Sequence, residues 1–470
     1  MLTVLLVIAC AAEEIQQPSF YAGNEELRQY LIEAAEKNPG LKARYFEWKA
    51  AMEKIPQVTT LEDPMFGYAQ FLQSDTYIYS AMVEQKFPWF GTLRTRGDKA
   101  LAEADAVLAK FHAARNELLA EVKRAYFEYA FLGQSLDIVR SEADTLKEVE
   151  EIVKARYALG FGIQADLYRV QIEQDKLEDQ HKGLLQSKPA LAAKLLEALG
   201  REAAEEPEWP QPAEFPPSPP EASVVLARIR TANPDLAAMQ HMIEAWDKQV
   251  VLARKTGCPD FTIGLEYDGM KNMMTSQYDP ATAQNTMESK DVPDMVMVSL
   301  KVNLPIWRKR VKAGIREAEQ MRDAAEHEKR RATLSYDSAA RMALYNIQDA
   351  LRRYHLYRDV IVPEEKQTYE SLKASYVTGG GAMEGGGTEF LDIQRTVGDL
   401  FEFQLEQARA ARDVQVACAE LEMLMGQPWA SDETPPAAPE QKDSVGVTAV
   451  ESQNAAEPER AGSAGASPSP

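Results

Sequence analysis

A duplicated order of motifs is the feature of this 470-residue sequence that most limits its fold. Asn38-Pro39 is followed by Leu41, and the same Asn-Pro-x-Leu pattern returns at Asn233-Pro234 with Leu236. Later matches keep the same order: Phe87-Pro88-Trp89 with Leu304-Pro305-Ile306, Gly97 with Gly314, Tyr157 with Tyr376, and Gly160 with Gly379. Self-similarity over this length indicates two copies of one structural unit.

Two low-complexity stretches mark the limits of these copies. Residues 202–222 are rich in proline, which favours an extended connector over a helix. Residues 428–470 are rich in proline, alanine, serine and glutamate and contain few large apolar residues, so we expect a disordered tail. We therefore assign 24–201 to the first repeat and 223–427 to the second.

Each copy is predicted to contain a helical stretch, a β region and then long helices. The helical stretches cover 24–56 and 222–256, and apolar and polar residues alternate, as in strands, over 77–87, 261–268 and 295–304. Pro88 and Pro305 end the β regions. Residues 95–157 contain no proline and 311–376 only Pro363, so each segment predicts a helix on the order of 90–100 Å long. Glycine-containing turns at 160–162 and 379–381 precede returning helices, and helices this long and charged are expected to pack as coiled coils.

The amphipathic strands restrict the oligomeric state. Four strands in one chain are too few for a membrane β-barrel, because the smallest barrels of this kind have about eight strands. Strands from several chains could instead close one barrel, apolar outside and polar inside, which a hollow bundle of the long helices would continue. The predicted fold class is thus mainly α with a small β part.

Charge and composition exclude several functions. A net charge of −21 argues against nucleic acid as a partner. The five histidines lack the helical spacing of a metal pair, and no CxxC occurs among the three cysteines, although a Cys258–Cys418 pair stays open. Nucleophile–base sets, phosphate loops and paired acids are also missing, so we expect neither an enzyme nor a bound cofactor or metal.

The N-terminus predicts export. Residues 1–9 are apolar and end directly before Cys10, the pattern of a short signal segment. Such a cysteine resembles the lipidation site of bacterial lipoproteins, where a diacyl anchor would tether the protein without spanning the membrane. A plain signal peptide with an incidental cysteine is the alternative. After the first ten residues no apolar run is long enough for a transmembrane helix.

Motifs in both halves together resemble those of one known family. In order these are the two Asn-Pro-x-Leu motifs, Asp63-Pro64, Lys86–Gly91, Ala125–Tyr129, Arg156-Tyr157-x-x-Gly160, Asn303–Trp307 and Phe390–Arg395. Their order over 24–428 resembles that of TolC-type outer-membrane efflux proteins, especially the branch serving heavy-metal pumps of the resistance-nodulation-division (RND) type. The resemblance implies a homotrimer with a 12-stranded β-barrel in the bacterial outer membrane and a long periplasmic α-barrel. It also implies a periplasmic adaptor (membrane fusion) protein and an inner-membrane RND-type pump as partners.

The resemblance assigns roles to the two helix–helix turns. It places Glu389 and Asp392 at the channel constriction, where carboxylates would favour cations; the alternative is that both lie in a first helical turn, where the macrodipole favours acids. It places Arg156, Tyr157, Gly160 and Asp166 at an adaptor-facing turn, whose simpler reading is a glycine C-cap followed by an acidic helix start. The second turn, 378–388, is unusually rich in glycine and longer than in the family.

Other residues also carry alternatives. Trp89 and Trp307 are predicted to lie at the lipid headgroups, or else to fill the strand-to-helix junction. Methionines 270, 273, 274 and 287 fall in a predicted 270–293 loop, where incidental methionine is favoured over a Cu(I) site.

As a whole, the sequence predicts a passive outer-membrane exit duct for metal ions or small toxic compounds. The alternative is a lipid-tethered periplasmic coiled-coil scaffold or adaptor, which explains the helices and Cys10 but not the four amphipathic strands.

Overall fold

The computed structural model describes residues 24–74, 76–202, 207–210, 219–279, 284–378 and 386–428, with side chains except at 275, 277–279, 284–288 and 386–389. Cys10, most of the Gly-rich turn and the 428–470 tail beyond Pro428 therefore lie outside the described residues. The first half contains α1 (Glu25–Lys37), α2 (Pro39–Thr59), β1 (Met65–Gln70), β2 (Tyr77–Phe87), α3 (Thr92–Ala158) and α4 (Gln164–Leu199). The second half contains α5 (Ala222–Ala232), α6 (Pro234–Lys255), β3 (Phe261–Met270), β4 (Met273–Asp279), β5 (Gln284–Lys290), β6 (Met295–Val302), α7 (Arg308–Leu356), α8 (Val362–Thr378) and α9 (Gly386–Met425).

The repeated Asn-Pro motif performs the same task in both halves. Each asparagine side chain caps a helix, as Asn38 accepts from the Leu41 N–H at 3.2 Å and Asn233 from the Leu236 N–H at 3.1 Å. The following proline occupies the first helical turn, where its missing N–H is harmless. The same asparagine amides donate to the carbonyls of Ala198 and Leu424, at 3.0 and 2.9 Å. In each half, the motif thus joins the first two helices to the C-terminal end of the last helix of that half.

The four long strands form one antiparallel sheet in the order β1-β2-β3-β6, in which β2 and β3 join the two halves. The strand expectations for 77–87, 261–268 and 295–304 are confirmed to within a few residues. The prediction of a loop over 270–293 is wrong in part, because β4 and β5 pair as a separate hairpin there. Polar residues occupy both faces of that hairpin, so no alternation indicated it.

The long helices pack as coiled coils. Helix α3 is one helix of 67 residues, about 100 Å at 1.5 Å per residue. Its buried residues Val139, Leu146, Val149 and Val153 recur at spacings of seven, three and four, the seam of a heptad. The predicted helix over 311–376 is helical throughout, but a π-helical turn at Tyr357–Ile361 divides it into α7 and α8 directly before Pro363. Proline interrupts the hydrogen-bond ladder, and one extra residue in the turn accommodates it.

The main core lies where both halves meet. Tyr126, Phe127 and Tyr129 of α3 are fully buried there with Ile347 of α7 and Leu421 of α9. A second apolar cluster lies toward the helix turns and includes Val153, Val170, Tyr376 and Phe390. Within the described ranges, no helix is both long and apolar enough to cross a membrane.

Residues 207–210 of the connector pack on the first repeat. Trp209 stacks on Tyr129 with ring centroids 4.8 Å apart, and the Tyr129 hydroxyl donates to the Pro207 carbonyl at 3.0 Å. The ring covers Gly133 so closely that a Cβ there would lie 2.9 Å from it. Residues 207–210, which have no regular secondary structure, are therefore fixed to α3.

Candidate functional site

The four-stranded sheet exposes its apolar face. Val296, Val298 and Leu300 of β6 are 63%, 75% and 66% exposed. The register places Leu265 and Ile263 of β3 beside the last two, and both are also exposed. An apolar patch of this extent marks a membrane or protein interface.

The opposite face is polar and internally bonded. Ser80 donates to Glu266 at 2.8 Å, and Lys301 forms an ion pair with Glu84, which is buried. Gly264 lies between Glu84 and Ser299, where a Cβ would come within 2.5 Å of the serine hydroxyl. The sheet thus inverts the arrangement of a soluble protein, because its apolar side chains are exposed while the carboxylates of Glu84 and Asp268 are buried.

The two predicted interface tryptophans occupy different environments. Trp89 stacks on Phe261 with centroids 5.9 Å apart, and its backbone N–H donates to Asp260 at 3.1 Å. Trp307 is 73% exposed beside exposed Leu304 and Ile306. Trp89 therefore has the contacts of a junction residue, whereas Trp307 is available to a lipid headgroup layer.

Helix α3 ends in a glycine-dependent turn. The Phe161 N–H donates to the Arg156 carbonyl at 2.9 Å and the Gly160 N–H to the Tyr157 carbonyl at 3.0 Å. Gly160 has φ +81°, a left-handed conformation that favours glycine. The C-cap reading of Gly160 thus describes its local role.

Large apolar side chains surround this turn and are exposed to solvent in the single chain. We call them the turn patch: Tyr157, Leu159, Phe161, Ile163 and Tyr168, which are 48%, 71%, 68%, 53% and 54% exposed. Sequence reasoning selected only Tyr157 from this set. The signal for the others was present, because turns rarely carry so many large apolar residues without a partner.

Arg156 connects the first turn to the second half. Its guanidinium lies 4.0 Å from the centroid of the Tyr376 ring and donates to the Tyr376 backbone carbonyl. The Nε atom of Arg156 is buried and has no hydrogen-bond partner among the described residues. The end of α3 is thereby held to the end of α8.

Asp166 lies beneath the same contact. It is in the first turn of α4, is only 1% exposed, and pairs with Arg169 at 3.2 Å. Burial raises the pKa of this carboxyl, while the positive charges of Arg169 and Arg156 oppose that rise. The structure thus brings Arg156 and Asp166 together electrostatically, and leaves Tyr157 and Gly160 at the surface.

The two predicted constriction acids follow the second turn. Helix α9 begins at Gly386, so Asp392 lies in its second turn, and its side chain is exposed. The alternative that both acids lie in the first helical turn is therefore wrong for Asp392. The Glu389 side chain lies outside the described residues.

An acidic pair that the sequence analysis did not select lies in the coiled coil. Glu142 occupies a seam position between Val139 and Leu146 and is 8% exposed. Burial, and the nearby charge of Glu173 on α4, raise the pKa of Glu142 to about 8. Gln394 of α9 donates to Glu173 at 3.1 Å, so all three helices meet at this point. The heptad spacing of α3 is the sequence signal that could have identified Glu142.

The cysteines and possible metal ligands add no further site. Among the described residues no group of three or more His, Cys, Asp or Glu side chains could hold a metal ion. Cys258 and Cys418 are both free thiols, so the pairing left open by the sequence does not form. Met273 and Met274 are exposed.

A sheet with an exposed apolar face, long coiled-coil helices and a duplicated motif order together characterise this fold. The family model described as outer membrane efflux protein matches residues 70–201 and 225–427, and the chain belongs to that family. No curated protein matches the chain in sequence.

Solved structures share the fold. The outer membrane protein VceC from Vibrio cholerae superposes with a TM-score of 0.70 at 16% identity, covering 87% of this chain and 99% of that one. A membrane protein from Pseudomonas aeruginosa gives 0.69 at 19% identity, with coverages of 86% and 92%. The MtrE outer membrane channel from Neisseria gonorrhoeae, in its open state, gives 0.67 at 17% identity, with coverages of 86% and 90%. These similarities extend over nearly the whole of each relative.

Proposed function

We propose that this chain is the outer-membrane exit duct of a tripartite efflux system, and that it conducts metal ions or small toxic compounds passively from the periplasm to the exterior. Three copies assemble, each giving four strands to one 12-stranded barrel. The paired long helices continue the pore as a periplasmic α-barrel. Energy for transport comes from an inner-membrane pump of the RND type.

The inverted sheet is the observation that carries this proposal. Its exposed face is lined by Val298, Leu300 and Leu265, while Glu84 and Lys301 lie on the other face. Lipid would cover the apolar face and water the polar one. The outer strands β1 and β6 each have a neighbour on one side only within the chain, so pairing between copies would satisfy their free backbone groups.

The helix turns supply a closed end and a docking surface. The contact between Arg156 and Tyr376 ties two helix ends together and would have to open for the pore to widen. Asp392, repeated in three copies, would form an acidic ring that favours cations. The turn patch offers uncovered apolar area to the periplasmic adaptor.

Planar-bilayer recording of the detergent-purified full chain tests the proposal. We expect discrete conductance steps, with a trimer in size-exclusion chromatography coupled to light scattering. As a matched pair, Val298→Lys on the outward face should prevent bilayer insertion, whereas Glu317→Lys on an exposed part of α7 should not, because only the former places a charge in lipid. Silent bilayers together with a carbonate-extractable monomer would favour the lipid-tethered scaffold.

A further inference from the structure

A cluster of cations follows the exposed apolar strand β6 and is separated from it by the segment Asn303–Trp307. Its members are Arg308, Lys309, Arg310, Lys312 and Arg316, which we call the basic cluster, and all of them are exposed. No acidic residue occurs between Lys301 and Glu317, although the whole chain carries a net charge of −21. Within the described part of the chain, none of the five side chains forms an ion pair or hydrogen bond.

The first repeat does not carry the first three of these charges, although Arg94 and Arg96 follow a few residues later. Pro88 and Pro305 are equivalent in the two repeats, so Gly91, Thr92 and Leu93 stand in the first repeat where the second has Arg308, Lys309 and Arg310. Both segments begin a long helix. Cations in the first turn of a helix oppose its macrodipole, so they reduce the stability of α7 unless an outside anion compensates.

The surroundings of the cluster indicate what that anion is. Leu304, Ile306 and Trp307 precede it and are 74%, 67% and 73% exposed, in continuity with the apolar face of β6. Lys309, Lys312 and Arg316 line, with Ile315, an open surface depression of about 500 Å³. The next carboxylate along α7 with a described partner, Glu319, pairs with Arg254 at 3.4 Å and does not neutralise the cluster.

We propose that the basic cluster binds the phosphates of anionic phospholipid headgroups at the periplasmic edge of the membrane-embedded sheet. This inference rests on the proposed function, because it needs the sheet to lie in a bilayer. Apolar side chains followed by an aromatic residue and then by cations match the order of acyl chains, glycerol region and phosphates from the bilayer centre outward. The cluster would fix the depth and lipid environment of the duct at that edge.

The test uses the full chain with Arg308→Gln, Lys309→Gln and Arg310→Gln combined. The matched control combines Lys147→Gln, Lys176→Gln and Lys182→Gln, which remove the same charge from exposed sites on α3 and α4. Each protein is reconstituted in nanodiscs containing equal phosphatidylglycerol and phosphatidylcholine. Native mass spectrometry then measures which lipid each protein retains, and planar-bilayer conductance is measured in parallel.

We expect wild type and the control to retain phosphatidylglycerol preferentially, and the triple variant to lose that preference by about tenfold or more, since each basic residue near an anionic surface contributes a factor on the order of five. Conductance should be unchanged in all three proteins. Equal lipid retention by wild type and triple variant would overturn the proposal even where conductance is seen, and absent conductance would instead count against the proposed function. Displacement of the lipid by inorganic phosphate, or dissociation of the oligomer in the triple variant, would also overturn it, in favour of a soluble anion or a contact between copies.

Discussion

The guanidinium of Arg156 stacks on the ring of Tyr376 at 4.0 Å and donates to the backbone carbonyl of the same tyrosine. Two kinds of interaction thus act between one pair of residues, one from each repeat. Because the pair lies where α3 and α8 end, breaking it frees both helix ends without disturbing the main core around Tyr126.

The first prediction concerns this pair. Arg156→Ala should increase the conductance of the resting duct, because it removes a cation–π contact and a charge-assisted hydrogen bond, together about 2–4 kcal/mol. A change of that size multiplies the open population by roughly 30 to 900 if the pair is broken on opening. Single-channel recording measures the change, and circular dichroism verifies that the helices remain.

Arg395→Ala is the matched control, because the Arg395 side chain is 83% exposed and lies 3.8 Å from Asp399 in a loose ion pair. It should conduct like wild type. Arg156→Lys keeps the charge but not the planar stacking, so an intermediate conductance is expected. A resting conductance of Arg156→Ala equal to that of Arg395→Ala would falsify the role of the pair in closure.

The second prediction concerns ion selectivity. Asp392→Asn should lower the preference for cations, because an exposed carboxylate at a constriction attracts them and its amide does not. Reversal potentials in a KCl gradient measure the preference, and Glu389→Gln should act in the same direction. Asp399→Asn, two turns further along α9, is the control and should have the smaller effect. An unchanged reversal potential in Asp392→Asn would place the constriction elsewhere.

The third prediction concerns pH. The pKa of Glu142 is about 8, raised by burial and then by Glu173, above the ordinary value of 4.5. Below pH 4.5 the Glu142 carboxyl is protonated in both the folded and the unfolded protein, so its burial as a charge does not lower the free energy of unfolding. As pH rises from 4.5 to about 8, the unfolded chain releases this proton more readily than the folded one, so the free energy of unfolding falls. Above about pH 8 the carboxyl is ionised in both states, and the free energy of unfolding falls no further on account of Glu142.

Glu142→Gln should therefore raise the thermal midpoint near pH 8 while leaving it almost unchanged near pH 4.5, and the profile between should flatten. Thermal unfolding followed by circular dichroism in detergent at several pH values measures this. Glu151→Gln, on an exposed face of the same helix, is the control and should follow wild type. A variant whose midpoint shifts equally at every pH would show that the substitution acts through packing and not through ionisation.

The strands and helix pairs could be predicted because their signals are local. Alternation over 77–87 and 261–268 indicates strands whatever they pack against, and Asn38-Pro39 indicates a helix start through its own chemistry. The hairpin of β4 and β5 escaped prediction because polar residues occupy both of its faces. The π-helical turn before Pro363 escaped because proline can kink, end or bulge a helix, and only packing decides among these.

The candidate site was harder to predict, because its contacts join distant parts of the chain. Arg156 was selected from its motif, but its partner Tyr376 lies in the other repeat, where the sequence gives only a matching tyrosine. Glu142 could have been selected, because it stands in a heptad of buried residues. However, α3 carries many charged residues, and the sequence alone does not distinguish a buried one from the exposed ones. The turn patch was not predicted because turn residues were judged by their glycine and charge, and not by the number of large apolar side chains among them.

The last prediction concerns the connector. Trp209 stacks on the fully buried Tyr129 at 4.8 Å between ring centroids, and the Lys188 ammonium lies 5.0 Å from the Trp209 ring. Trp209→Ala should release the connector from α3 and lower the free energy of unfolding by about 2 kcal/mol, less than for a fully buried tryptophan because the side chain is 40% exposed.

Limited proteolysis at the connector and thermal unfolding measure these two effects. Trp209→Phe keeps a ring on Tyr129 and should restore most of the protection, whereas Glu208→Ala, a neighbouring connector substitution without a ring contact, should behave as wild type. Gly133→Val should release the connector as Trp209→Ala does, because a Cβ at position 133 would lie only 2.9 Å from the Trp209 ring. Equal cleavage rates in wild type and Trp209→Ala would mean that the stack does not hold the connector, and that the proline-rich segment is restrained by its own stiffness instead.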